Sequence, residues 1–361
     1  MIKKILCVTI FLITGLQHAS IAQTTLADDQ IKQIIQQQAE AKNIPSIVVG
    51  IIDESGKRVI CFGKLNKDLD KQADGNTLYE IGSITKVFTS LVLEDMAEHG
   101  ELNINDPISK YLAESVKTPV KDGKEITLLD LSSQISGLPR MPNNFAPADF
   151  SNPFADYTPE KLYAFLSSYK LTRAIGEKYE YSNVGVGLLG HILTLIEKTD
   201  YETLVLKHIC EPLNMKSTVV EVTQDLKPRL ATGYNEAGSP VKNWDFSALA
   251  GAGALKSSVN DMLIFLTANM GLVKTKLLSA MEKIQMSQHD TGVPDLDIAM
   301  GWHIWKRFNK KIIWHNGGTY GYRTFIGFDK ENKKGVVVLS NSSVGVDDIG
   351  LHLLESKYEI K

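Results

Sequence analysis

The chain has 361 residues, 43% of them hydrophobic and 22% charged, which is enough apolar material to bury a sizeable core. Its 39 Lys and Arg nearly balance its 42 Asp and Glu, for a formal net charge of −3. No long basic run interrupts that balance, which argues against a nucleic-acid partner.

The first segment reads as an address. Lys3 and Lys4 give a positive start, Ile5 to Leu16 are largely apolar, and Ser20-Ile21-Ala22 offers a small-residue cleavage site, the order of a secretory signal peptide over residues 1–22. Gln17 and His18 cut the apolar run short of the roughly 20 residues a membrane span needs. The mature protein, residues 23–361, is therefore expected to be periplasmic or secreted, without a stable span, and a monomer. Beyond the leader only Cys61 and Cys210 remain, too few for a disulfide framework, with pairing in an oxidising compartment left open. Their spacing fits no zinc site and no His-Glu-x-x-His run exists, so free thiols and no metal or cofactor are expected.

Asp28 to Lys42 repeats Ile31, Ile34, Ile35 and Ala39 on one helical face, and Asn43 and Pro45 stop it. Ser46 to Ile52 reads as a buried strand, Glu54-Ser55-Gly56-Lys57 as a tight turn, and Arg58 to Gly63 as the returning strand. Ser83 to Glu98 is helical, with Val87, Leu91, Val92 and Met96 as its apolar stripe. Helices are clearest next at Lys161 to Tyr169 and Val186 to Lys198, after a Pro-, Asn- and Asp-rich loop from Pro139 to Pro159. Strands return at Lys311–Trp314, Thr324–Phe328 and Gly335–Ser340, and Asp347 to Glu355 closes the chain as a helix. The fold class predicted is α/β: one antiparallel sheet formed from both chain ends, flanked by helices, with an inserted mostly helical part. The α/β part is placed at about 23–82 and 255–361, the helical part at about 83–254.

Three segments carry chemistry. In Ser83-Ile84-Thr85-Lys86 the hydroxyl and the ammonium are three residues apart, so a helix sets them side by side. A serine hydroxyl needs an adjacent base or cation to become a nucleophile, and a helix N-terminus favours developing negative charge. An N-cap serine beside a solvated lysine is the plain alternative. Tyr181-Ser182-Asn183 adds a phenol that serves as general base if the lysine holds it as phenolate, and an amide for Lys86 or for substrate. His315-Asn316-Gly317-Gly318 ends a predicted strand, where glycine lets a substrate backbone approach and Gly318 N–H completes an oxyanion hole with Ser83 N–H.

Taken in order, Ser-x-x-Lys, Tyr-x-Asn and His-x-Gly resemble the penicillin-recognising serine hydrolases, specifically the class C β-lactamase and D-Ala-D-Ala carboxypeptidase branch. Ile126-Thr127-Leu128-Leu129-Asp130-Leu131, Ser136-Gly137-Leu138-Pro139, Pro212-Leu213-Asn214-Met215 and Gly301-Trp302 agree with it, so the resemblance runs from about residue 28 to the C-terminus. It implies that Ser83 is the acylated nucleophile, Lys86 its proton partner and Tyr181 the base, with Asn183, His315, Asn316, Gly317 and Gly318 binding substrate. The substrate implied is a β-lactam or a peptidoglycan stem peptide; an esterase, a D-aminopeptidase or a slowly deacylating penicillin-binding protein are the alternatives. His315 stands where such β-lactamases usually carry Lys, and Asn316 where they carry Thr. A neutral imidazole attracts a substrate carboxylate less than a fixed ammonium does, and Arg323 is the candidate replacement cation. Gly185-Val186-Gly187-Leu188-Leu189-Gly190 matches a dinucleotide fingerprint but follows no strand, so it reads as close helix packing. Glu211 in Glu211-Pro212-Leu213-Asn214 reads as structural.

Overall fold

The computed structural model describes residues 26–361; the leader expected over residues 1–22 lies outside them. Helix α1 (Asp28–Ala41) turns Ile31, Ile35 and Ala39 inward, the stripe its sequence period demands. A hairpin of β1 (Ser46–Asp53) and β2 (Gly56–Gly63) follows, and the chain then leaves the sheet. It returns through β3 (His289–Asp290), β4 (Leu296–Ile298), β5 (His303–Arg307), β6 (Lys310–Gly318), β7 (Arg323–Asp329) and β8 (Lys334–Ser340). The eight strands lie in the order β2-β1-β8-β7-β6-β5-β4-β3, every neighbour antiparallel. β1 pairs with β8 from Ile47 opposite Ser340 to Ile52 opposite Gly335, so the first strand and the last meet inside one sheet.

Both faces of that sheet are covered, which is why β1 reads as an unbroken apolar run. Successive side chains of a strand point to opposite faces. Val48 and Ile52 join Val337 and Ile326 under α2 (Thr85–Glu98), α3 (Asn183–Glu197) and α4 (Val259–Asn269). Ile47, Val49 and Ile51 join Phe325 and Val338 beneath α1 and the last helix, α5 (Asp347–Leu354).

Three expectations need correction. Ser83 does not begin an α-helix: Gly82–Ile84 is a single 3₁₀ turn, and α2 starts at Thr85. Nor is α2 amphipathic, because every residue from Thr85 to Met96 is buried; it is the central helix, surrounded on all sides. The sheet also extends beyond the three C-terminal strands foreseen, through β3, β4 and β5, whose short runs mix polar and apolar residues. The predicted packing role of Gly187 and Gly190 does hold: a Cβ at these positions would come within 2.6 Å of Leu249 and 2.7 Å of Gly251 respectively. Glu211 is exposed on a one-turn helix. Cys61 and Cys210 are both free, the first half-buried and the second buried. Among the described residues no helix is long and apolar enough to cross a membrane.

Candidate active site

The site forms where the turn before α2 lies against the end of β6. Gly82 takes φ +52°, a conformation that favours glycine, and a Cβ on it would sit 2.6 Å from Gly318 N. Gly317 is under the same constraint from the strand side: a Cβ there would fall 1.9 Å from Ile81 O. Thr324 Oγ1, opposite Gly317 on β7, donates to Ile81 O at 3.0 Å and pins the turn. Two backbones in contact, with no side chain between them, bring Gly318 and Ser83 to one small pocket.

Lys86 is wholly buried, and its Nζ lies 2.9 Å from Ser83 Oγ while donating to Ala252 O at 2.7 Å. Neither partner carries a charge. Burial first, and the Arg140 guanidinium second, hold its ammonium well below the usual lysine range, so the amine is favoured neutral. Lys86 Nζ and Arg140 Cζ each lie 4.9 Å from the centre of the Tyr181 ring. The Tyr181 hydroxyl hydrogen-bonds Ser83, yet burial outweighs that contact and raises its pKa, which keeps it a phenol rather than a phenolate.

Behind Tyr181 lie two imidazoles tilted against each other. His315 is 6.2 Å from Tyr181 and 5.1 Å from His303, centre to centre, and Nδ1 of His315 lies 2.5 Å from Asn316 O. His303 Nε2 is 3.1 Å from the Tyr179 hydroxyl. Burial, with Lys86 nearby, drives the His303 pKa down to about 4, and burial lowers His315 still more clearly, so both rings are neutral.

The remaining predicted residues divide. Asn183 lines the Ser83 pocket, but its Nδ2 rests on Met141 Sδ at 3.5 Å and not on Lys86. The Asn316 side chain leaves β6 on the face opposite His315, where Nδ2 donates to Asp347 Oδ2 at 2.6 Å on α5; the structure does not bring it to Ser83. Arg323 donates to Thr319 O at 2.8 Å, and a Cβ on Gly318 would fall 2.6 Å from its guanidinium, so Arg323 adjoins the pocket through both residues.

Several pocket residues were not singled out in the sequence. Phe154, Trp244 and Phe246 form an aromatic wall, with Phe154 stacked on Phe246 at 4.7 Å and Trp244 edge-on to Tyr320 at 5.2 Å. Glu80, buried three residues before Ser83, holds that wall: its Oε1 accepts from Trp244 N at 2.8 Å and Asn243 Nδ2 at 2.9 Å. No motif in the sequence marked Glu80. The aromatic wall lies in irregular segments, where no period marks an inward face.

A seryl hydroxyl against a buried lysine and a phenol sits on an antiparallel sheet flanked by helices, the β-lactamase/transpeptidase fold. The chain belongs to the beta-lactamase family, whose profile, described as "Beta-lactamase", matches residues 31–355. Among curated relatives, Protein flp of Staphylococcus aureus is 28% identical over 88% of this chain, and the chain spans 64% of that relative's length. The beta-lactamase of Pseudomonas fluorescens is 25% identical, with 88% of this chain and 93% of the relative covered. Among solved structures, a class C beta-lactamase from Rhodobacter sphaeroides superposes with a TM-score of 0.79 at 23% identity, covering 91% of this chain and 98% of its own. The D-alanine carboxypeptidase AmpC of Burkholderia cenocepacia gives 0.77 at 24%, with the same coverage of both chains. An octameric penicillin-binding protein homologue from Pyrococcus abyssi gives 0.78 at 25%, covering 92% and 77%.

Proposed function

We propose that this protein is an exported serine hydrolase that cleaves amide bonds of β-lactams or D-Ala-type cell-wall peptides through an acyl-enzyme on Ser83. One observation carries the reading: Lys86 is buried without a counter-charge, its Nζ 2.9 Å from Ser83 Oγ. A lysine in that setting has a lone pair to offer. One N–H stays on Ala252 O, the lone pair takes the Ser83 proton, and Oγ bonds to the substrate carbonyl carbon. Ser83 N–H and Gly318 N–H receive the oxyanion. Tyr181, kept a phenol by burial, gives its proton to the leaving nitrogen as the C–N bond breaks, and recovers one from the Lys86 ammonium. Water then attacks the acyl carbon, its proton passing to Lys86, and Ser83 leaves as the hydroxyl. This assigns the first proton acceptance to Lys86, where the family resemblance implied Tyr181.

The names of the relatives support β-lactams and D-alanine-terminated peptides as the substrate class, and a leader over residues 1–22 supports export, since both substrates lie outside the cytoplasm. A second reading, an esterase or D-aminopeptidase of the same fold, is favoured by neutral His315, which supplies no fixed cation for a substrate carboxylate.

Intact-mass analysis with benzylpenicillin tests the proposal. A transient adduct with release of opened drug marks a β-lactamase, and a lasting adduct marks a penicillin-binding peptidase. Neither adduct nor turnover leaves the second reading. Hydrolysis that survives in Ser83→Ala rejects the assignment altogether.

A further inference from the structure

Arg140 reaches the site on a fixed backbone. Its carbonyl accepts from Asn183 N at 2.9 Å, and the carbonyl of Pro139 accepts from Ser182 Oγ at 2.7 Å, so two hydrogen bonds lock this segment to Tyr181-Ser182-Asn183. The side chain is exposed, and its guanidinium carbon lies 4.9 Å from the centre of the Tyr181 ring. An aromatic face steadies such a cation without cancelling its charge. Among the described residues no carboxylate, hydroxyl or carbonyl accepts from the Arg140 guanidinium. Glu180, next to Tyr181 in the chain, is paired with Arg173.

The other basic groups near Ser83 are already committed. Burial holds Lys86, His303 and His315 neutral. Arg323 Nη1 donates to Thr319 O at 2.8 Å and Tyr322 O at 3.3 Å, and the charges of Asp347 and Glu236 act on it. Arg323 also stands on the other face of the sheet. Gly317 is pressed against the nucleophile turn, whereas a Cβ on the next residue, Gly318, would meet Arg323. Arg140 therefore has both its charge and its donors still to offer.

We infer that Arg140 is a specificity-determining residue that binds a carboxylate carried on the leaving group of the substrate. The inference rests on the proposed acylation of Ser83, with Tyr181 as donor to the leaving atom. The departing group passes Tyr181, and Arg140 stands on that ring. Its planar fork of N–H donors matches both oxygens of a carboxylate. A neutral His315 then leaves anionic substrates open, because Arg140 meets their charge.

Two thioesters test this: benzoylglycyl thioglycolate, whose leaving group ends in a carboxylate, and the same compound with that carboxylate as its methyl ester. Ser83 Oγ bonds to the thioester carbonyl carbon, the C–S bond breaks, and the thiol leaves with the Tyr181 proton; water then frees benzoylglycine. Thiol release is read as the ratio of kcat/KM for acid over methyl ester, on the pH plateau, so that any change at Lys86 cancels. The wild-type ratio is expected to be about ten, as for one charge-assisted pair at a partly exposed position, and to fall as salt rises. Arg140→Gln is expected to bring it close to one, chiefly by raising KM for the acid, and Arg140→Lys to keep part of it. A ratio unmoved in Arg140→Gln, a ratio that collapses in Arg323→Gln, or a wild-type ratio of one overturns the inference, while Ser83-dependent release leaves the acyl-enzyme reading standing. No release of either thioester, or release that survives in Ser83→Ala, overturns that reading and the inference together.

Discussion

Lys86 gains its chemistry from what surrounds it rather than from its own type. Burial lowers its pKa, and Arg140 lowers it further by like-charge repulsion. On the proposed mechanism only the neutral amine accepts the Ser83 proton, so activity is expected to fall as the pH drops through the depressed lysine pKa. Removing Arg140 lets that pKa climb back towards its ordinary value. Arg140→Gln is therefore expected to move the acid limb of the kcat/KM profile to higher pH, and Arg140→Lys to restore it in part. An unmoved limb would show that Arg140 does not set the charge on Lys86. Ser83 and Lys86 were legible in the sequence because their spacing makes them neighbours, and Tyr181 because its Tyr-Ser-Asn run completes the family resemblance. Arg140, Ala252 and His303 were not, since only the fold brings them near, and Ala252 takes part through a backbone carbonyl that any residue has.

Strand β6 serves two layers at once. Its inward glycine, Gly317, lets the nucleophile turn lie on the sheet, and its outward Asn316 ties the strand to α5 through Asp347. Gly317→Ala drives a methyl into Ile81 O, and the turn has to shift to admit it. Overpacking of this kind costs about 1–3 kcal/mol of stability. A displacement of about 1 Å at the reacting atom lowers activity on the order of a hundredfold. We expect both, read as a drop in Tm and in kcat/KM; a fully active Gly317→Ala would mean the turn is not seated as described. The long strands β1, β6, β7 and β8, seven to nine residues each, were visible in the sequence through the shorter apolar runs of four to seven residues at their centres. β3, β4 and β5 span two to five residues, and their pairing partners make them strands more than their composition does.

For the molecule as a whole, the paired imidazoles under the site make acid a denaturant. His303 titrates near 6.5 in the unfolded chain and at about 4 in the native one. Above pH 6.5 neither state holds the proton and stability is at its full value; as pH falls from 6.5 towards 4 only the unfolded chain binds it, and stability is lost across that window. The difference amounts to about 3 kcal/mol for His303 alone. Urea unfolding at pH 7 and pH 4.5 checks this, with the loss expected to shrink in His303→Asn. Equal stability at the two pH values would contradict a neutral buried pair. The general architecture, a sheet assembled from both ends of the chain, could be anticipated from where the apolar runs fall; the overlap of acid sensitivity and active site could not, because His303 stands in no motif.

The pairing of β1 with β8 also sets a clock. Ile47 waits for Ser340, near the far end of the chain, and closing so long a loop costs entropy before any contact repays it. Ser83 and Lys86 emerge early in synthesis, but Gly317 and Gly318 emerge late. A growing chain therefore carries Ser83 and Lys86 for most of its synthesis without the strand that seats Gly318 beside them, and on the proposed mechanism hydrolytic power arrives abruptly, with the last strands, rather than by degrees.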